Sequence, residues 1–126
     1  MAGRIVRWIV RGLSLIIGGA WLFIAVMESK MGATPMVLVE FIMAALIALG
    51  TIGIILAWIR ERSGGLFLGV VAVMHAIFAA VESGHNHLMA VLIAAGPYAL
   101  LSVGFLLLDR FWPITRVHPS EAITLQ

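Results

Sequence analysis

The sequence predicts an all-α membrane protein, an antiparallel bundle of four transmembrane helices with both termini in the cytoplasm. Three observations predict this fold. The 126 residues are 63% hydrophobic and only 11% charged, whereas soluble domains are nearer half apolar and a quarter charged. Four apolar runs each approach the ~20 residues that cross a bilayer. The basic residues are concentrated in alternate connections between these runs.

The basic residues set the predicted orientation. All but one precede the first run, separate the second from the third, or follow the fourth; they are Arg4, Arg7, Arg11, Arg60, Arg62, Arg110 and Arg116, and Lys30 is the exception. Cytoplasmic loops carry excess lysine and arginine. Trp8, Trp58 and Trp112 fall at the same interface, as in an aromatic belt. We therefore predict a protein of the cytoplasmic membrane with both ends inside.

One transmembrane domain accounts for residues 1–110, with spans at about 5–27, 36–59, 66–82 and 88–108 and a cytoplasmic tail at 111–126. Span one is longer than the ~7–15 apolar residues of a cleavable signal, so we expect it to be retained. Thr34-Pro35 suits the start of span two, where threonine caps and proline tolerates the first turn.

The connections between the spans are predicted to be short turns. Residues 60–65 form the turn on the inside, and residues 83–86 form the turn on the outside, with Asn86 as a cap for span four. Connections of this length make consecutive helices antiparallel neighbours.

Small residues indicate where the helices meet. Lipid offers no hydrophobic drive for helix association, so close backbone approach must supply the contacts. Gly50 and Gly53 in span two, and Gly65 and Gly69 in span three, are predicted to mark packing faces. Gly96-Pro97 removes a backbone donor in the middle of span four and predicts a kink.

Several function classes are disfavoured. The pI of about 9.9 does not indicate nucleic acid, because the arginines flank apolar spans and suit an anionic leaflet. The absence of cysteine excludes disulfides and thiolate metal sites. The sequence contains no phosphate-binding glycine loop and no serine–histidine–acid set on a suitable scaffold. It therefore favours a non-enzymatic protein.

Polar groups that could carry chemistry concentrate at the predicted outer end. They are Glu28, Glu40, His75, Glu82, His85 and His87. Ionisable residues in hydrocarbon are costly and mark functional sites by default. His75 lies seven residues before Glu82, so both occupy one helical face about two turns apart.

A metal site is one hypothesis for this end. Di-iron bundles need two Glu-x-x-His pairs and two further glutamates, and only the pair Glu82–His85 is present. A copper or zinc ion held by His75, Glu82, His85 and His87 fits better. The methionines after Met1 all lie in the outer half, and thioethers with imidazoles suit Cu(I), although methionine also fills gaps in helix cores.

A proton site is another hypothesis. Glu40 and His75, if desolvated and close together, could exchange protons near neutral pH. A structural alternative is equally simple, in which Glu40 accepts a hydrogen bond from His75 and joins spans two and three.

The hairpin between spans two and three has a recognisable pattern, Gly53-x-x-x-Ala57-Trp58-x-x-Glu61-x-x-Gly64-Gly65. It resembles the signature of an uncharacterised family of small four-span prokaryotic membrane proteins. An entry at Arg7-Trp8, a span ending at Glu28 and the Gly96-Pro97 break agree with that order of elements. The resemblance implies a four-helix membrane fold and no known activity, and the outer histidines are not part of the pattern.

The function predicted from these observations is that of a small integral membrane protein without enzymatic activity. Its glycine-rich faces favour a homo-oligomer or an accessory subunit of a larger membrane complex. The alternative is metal-binding or proton-coupled transport through the outer cluster of histidine, glutamate and methionine.

Overall fold

The fold is a bundle of four long helices. The computed structural model describes residues 2–31 and 38–113. These contain α1 (Ala2–Met31), α2 (Leu38–Ile59), α3 (Glu61–Glu82) and α4 (His87–Phe111). Each helix contains a stretch long and apolar enough to cross a membrane, which confirms the prediction of an all-helical membrane protein. Thr34-Pro35 and the tail beyond residue 113 lie outside the described residues.

The hydrophobic core is built by α2, α3 and α4. Its fully enclosed members include Ala57 of α2, Leu68 of α3 and Phe105 of α4. Helix α1 adds only partly buried side chains to this core, among them Val10 and Trp21. In the most apolar 18-residue window of α1, 6% of the residues are buried, against 33% to 39% in the other helices. Helix α1 is therefore the peripheral member of the bundle.

The four glycines predicted to lie on packing faces are all next to side chains of another helix. A Cβ on Gly50 would lie 2.5 Å from the Tyr98 hydroxyl, and one on Gly53 would lie 2.8 Å from Leu68. Gly65 and Gly69 of α3 lie against α4, where their nearest neighbours are Leu106 and Ser102. These positions bring the helix backbones closer together than a larger residue would allow.

The connection between α2 and α3 is much shorter than the sequence predicts. A turn over residues 60–65 is wrong, because α3 begins at Glu61 and only Arg60 separates the two helices. Backbone hydrogen bonds continue across the junction, from Arg60 N to Leu56 O and from Gly64 N to Arg60 O. Gly64 lies directly against the backbone of Ala57. Its missing side chain lets the first turn of α3 fold back on α2.

The connection between α3 and α4 is a short turn, as predicted. Gly84 adopts φ +60°, a left-handed conformation that glycine occupies without strain and that commonly ends helices. Asn86 is at the N-cap of α4, but its side chain makes no capping hydrogen bond. Helix α4 continues through Pro97 to Phe111, and the kink at Gly96-Pro97 stays a prediction.

Candidate functional site

A buried carboxylate at one end of the bundle is held by two arginines. Glu61, in the first turn of α3, is only 6% exposed. Arg7 donates to both of its oxygens, from Nε at 2.5 Å and from Nη2 at 3.3 Å. Nη2 of Arg11 lies 3.7 Å from Oε1. Because Arg7 and Arg11 are four residues apart, they share one face of α1 and reach the same carboxylate.

The same arginines also bind backbone carbonyls at the ends of two other helices. Nη2 of Arg7 donates to the carbonyl of Trp112 at 2.7 Å, just beyond α4. Nη2 of Arg11 donates to the carbonyl of Trp58 at 3.2 Å, in the last turn of α2. Carbonyls at helix C-termini lack intrahelical donors and carry partial negative charge. The two cations therefore satisfy helix ends as well as Glu61.

The indole of Trp58 completes this group, which we call the arginine cluster: Arg7, Arg11, Ser14, Trp58 and Glu61. Nε1 of Trp58 donates to Ser14 Oγ at 3.0 Å, and Ser14 Oγ donates to the carbonyl of Arg11 at 2.7 Å. The Arg11 guanidinium lies 5.5 Å from the centroid of the Trp58 ring, within cation–π range. The cluster and the Trp112 carbonyl together connect all four helices.

The chemistry of the arginine cluster is that of a structural clamp with a net charge of +1. Within the described part of the chain, Nε of Arg11 is buried without a hydrogen-bond partner. Sequence analysis used the arginines only to predict the orientation in the membrane and did not identify Glu61 as their partner. Two arginines at i and i+4 on one helix, with a glutamate opening another helix at the same interface, are the signal that could have found it.

A second polar group lies midway along the bundle, where three aromatic rings meet. The ring centroid of His75 is 4.6 Å from that of Tyr98 and 6.2 Å from that of Trp21. Trp21 stacks on Tyr98 with centroids 6.4 Å apart. We call Trp21, His75 and Tyr98 the aromatic cluster. Sequence analysis did not identify its two non-histidine members.

His75 itself is 3% exposed. Its Nδ1 lies 2.9 Å from the carbonyl of Val71, one turn earlier in α3. A carbonyl can only accept, so Nδ1 carries the proton and Nε2 of the neutral ring is an acceptor. Among the described residues, Nε2 has no hydrogen-bond partner. A buried acceptor without a donor is costly.

The predicted pairing of Glu40 with His75 is not formed as a hydrogen bond. Glu40 is exposed in the first turn of α2, and the two ring nitrogens of His75 are accounted for by Val71 and by the unpartnered Nε2. The proton site at Glu40 and His75 stays a prediction.

The predicted metal ligands are not brought together. Glu82, His85 and His87 are exposed at the α3–α4 turn, whereas His75 is buried below them. Nδ1 of His87 is within hydrogen-bond distance of the Ala80 carbonyl, at 2.7 Å, and of Ser83 Oγ, at 3.1 Å. Among residues 2–31 and 38–113, no three histidine, aspartate or glutamate side chains are grouped so that they could hold a metal. A copper or zinc ion here stays a prediction.

The hairpin pattern between α2 and α3 coincides with close contacts in the structure. Gly53, Ala57 and Gly64 allow the two helices to touch, while Trp58 and Glu61 belong to the arginine cluster. These contacts give the pattern a structural role at one end of the bundle.

No family model matches this chain, and neither a curated protein nor a solved structure matches it.

Proposed function

We propose that this protein is a non-enzymatic component of the cytoplasmic membrane that works by associating with other transmembrane helices, as a homo-oligomer or as an accessory subunit of a larger complex. The observation that carries the proposal is the outer face of α1, where two glycines are open to the surroundings of the bundle.

The outer face of α1 is opposite its packed face. Arg7, Ser14 and Trp21 point into the bundle, where they join the arginine and aromatic clusters. About half a turn around the helix lies a stripe of exposed and partly exposed residues, which we call the α1 stripe: Ile5, Gly12, Ile16, Gly19 and Phe23. Ile16 is 70% exposed and Phe23 is 63% exposed.

The glycines of the α1 stripe differ from those inside the bundle. A Cβ placed on Gly12 or Gly19 would meet no atom within 4 Å, whereas one on Gly64 would overlap the backbone of Ala57. Glycine costs about 1 kcal/mol relative to alanine in an exposed helix interior. Lipid chains give no compensation for that cost, but a second helix does, because its backbone can approach closely.

Alternation of large and small residues supports the same conclusion. Ile5, Ile16 and Phe23 project from the surface on either side of the hollows at Gly12 and Gly19. Ridges of this kind fit into the grooves of another helix. The weak burial of α1 leaves the whole stripe available for such a contact.

The proposed arrangement in the membrane is antiparallel, with both termini in the cytoplasm. Support comes from the arginine cluster, in which the first turns of α1 and α3 contact the last turns of α2 and α4. Arginines and tryptophans gather at this end, as they do at cytoplasmic membrane interfaces.

Energy transfer between labelled copies in lipid vesicles tests self-association. We expect transfer for the unmodified protein and a loss of transfer for the double variant Gly12→Leu/Gly19→Leu, because the added side chains fill the hollows. Ala99→Leu is the matched control, since Ala99 is a small exposed residue on α4 outside the stripe. It should leave energy transfer unchanged.

Native mass spectrometry on material taken directly from membranes separates the two forms of the proposal. Multiples of 13.6 kDa indicate a homo-oligomer, and a constant additional mass that only the glycine variant loses indicates an accessory subunit. A lone monomer in both membranes and mild detergent would refute the proposal.

A further inference from the structure

A cleft opens at the same end of the bundle as the arginine cluster. Its volume is about 310 Å³, and it lies between the α2–α3 junction and the end of α4. Its lining consists of Ile59, Arg60, Glu61, Arg62, Ser63, Asp109 and Pro113. Because α2 and α4 end there and α3 begins there, a membrane crossed by the four apolar helices would have its lipid head groups at this level. Pockets for small ligands begin at about this size.

The charges in the cleft are unequally compensated. Glu61 is already bound by Arg7 and Arg11. Arg60 and Arg62 are both exposed, and within the described part of the chain neither guanidinium has an ion-pair partner. The same holds for the carboxylate of Asp109. Among residues 2–31 and 38–113, the cleft therefore offers two cations and one anion without an ion-pair partner.

The first turn of α3 adds hydrogen-bond donors beside the two arginines. Arg60 is the N-cap residue of α3, and its side chain makes no capping hydrogen bond. Backbone amides in the first turn of a helix have no intrahelical acceptor and favour anions. The hydroxyl of Ser63 is a further donor in the lining. These donors strengthen a site for an anion whose main ligands are the guanidinium groups.

A phosphate matches the two arginines, because the planar guanidinium binds phosphate oxygens in a bidentate manner. A simple phosphate would, however, meet the carboxylate of Asp109 in the same cleft and be repelled. A ligand that carries an ammonium group next to its phosphate turns that repulsion into attraction. We propose that the cleft binds a phosphoethanolamine group, with its phosphate on Arg60 and Arg62 and its ammonium on Asp109.

Two sources supply this chemistry. One is the head group of phosphatidylethanolamine, whose glycerol would leave the cleft beside Ile59, an apolar residue that is 69% exposed. The other is soluble O-phosphoethanolamine. The proposal does not depend on the association of α1, because none of the residues of the α1 stripe lines the cleft.

The test uses the full chain in mild detergent with an equimolar mixture of phosphatidylethanolamine, phosphatidylcholine and phosphatidylglycerol of identical acyl chains. Native mass spectrometry counts the lipids that remain bound. We expect phosphatidylethanolamine to be retained in preference to both others. The double variant Arg60→Gln/Arg62→Gln should reduce its retention at least about tenfold, since it removes two charge-assisted contacts. Arg4→Gln, an exposed arginine on α1 that does not line the cleft, should have no effect.

Asp109→Asn tests the ammonium half of the site. It should abolish the preference for phosphatidylethanolamine over phosphatidylglycerol while lipid is still retained.

Competition with millimolar O-phosphoethanolamine identifies the source of the ligand. Displacement of the lipid shows that the soluble compound also occupies the cleft, and failure to displace it assigns the cleft to the lipid. The proposal would be overturned if Arg4→Gln and the double arginine variant lost equal amounts of bound phosphatidylethanolamine. A wild-type preference for phosphatidylglycerol, or an unchanged preference in Asp109→Asn, would also overturn it.

Discussion

Nε of Arg7 lies 2.5 Å from Oε1 of Glu61, although 54 residues separate them in the chain. The Glu61 side chain is 4% exposed and that of Arg7 is 22% exposed. The carboxylate of this pair is therefore buried, and its guanidinium is partly exposed. The pair ties the first turns of α1 to the first turn of α3, and the same guanidinium bonds the end of α4.

Removing the carboxylate should destabilise the bundle. Glu61→Gln leaves Arg7 and Arg11 close together without their common anion, and loss of one partner of a buried pair costs several kcal/mol. Because the arginines are partly exposed, we expect the free energy of unfolding to fall by about 2–4 kcal/mol. Unfolding in detergent with increasing dodecyl sulfate measures it.

The control for this variant is Glu28→Gln, which neutralises an exposed glutamate near the other end of α1. It should change stability by less than about 0.5 kcal/mol. Replacing both members of the pair, in Arg7→Met/Glu61→Leu, should restore part of the loss, because it leaves one cation without its anion where Glu61→Gln leaves two. Equal stability of Glu61→Gln and wild type would contradict the clamp.

The junction of α2 and α3 should not accept a side chain at Gly64. A Cβ there overlaps backbone atoms of Ala57, which cannot move aside as the end of a flexible side chain can. We expect Gly64→Ala to lower the free energy of unfolding by about 1–3 kcal/mol, the usual range for overpacking. Gly12→Ala is the control, and it should leave monomer stability unchanged or raise it by up to about 1 kcal/mol. Similar effects of both substitutions would show that Gly64 is not a contact point.

The sequence was sufficient to predict the four helices because membrane spans depend on length and hydropathy alone. It failed at the start of α3, where a run of arginine, glutamate, serine and glycine has the composition of a turn. In the structure Glu61 and Gly64 are helical, since the contacts with Arg7 and Ala57 favour a helix there. Those contacts come from other helices, so the local composition does not predict them.

The candidate sites were harder to predict for a related reason. Polar residues near one end of the spans indicate a site only if their helices are rotated to face each other. His75 faces Trp21 and Tyr98, whereas Glu82 and His85 are exposed. Rotation of a helix whose faces are almost equally apolar is set by packing, and α3 has apolar residues on every side.

The hydrogen bond from Trp58 Nε1 to Ser14 Oγ should contribute measurably to the stability with which α1 is held in the bundle. Ser14→Ala leaves the partly buried Nε1–H of Trp58 without its acceptor, which we expect to lower the free energy of unfolding by about 1 kcal/mol. Ser63→Ala, an exposed serine, is the control for stability in the same unfolding titration. In a double-mutant cycle with Trp58→Phe we expect a coupling energy of about 1 kcal/mol. A coupling energy near zero would show that the two side chains do not interact.

Substitutions at His75 distinguish a packing residue from a chemically active one. His75→Phe keeps a ring beside Trp21 and Tyr98 and removes the unpartnered Nε2, so stability in the dodecyl sulfate titration should be unchanged or rise by about 1 kcal/mol. His75→Ala should lower it by about 2–4 kcal/mol, because a cavity is left in the aromatic cluster. If the phenylalanine variant loses as much stability as the alanine variant, the ring nitrogens of His75 contribute to stability and the residue is more than a packing side chain.

The orientation of the bundle can be tested directly because the chain contains no cysteine. Ser63 lies at the arginine-rich end and Ser83 follows α3 at the other end. In intact cells that express the protein, a membrane-impermeant maleimide should label Ser83→Cys and should label Ser63→Cys only after the cytoplasmic membrane is permeabilised. The expected difference follows from the retention of arginine on the cytoplasmic side. Equal labelling of both variants in intact cells would place the two turns in one compartment, which no bundle with α3 crossing the bilayer allows.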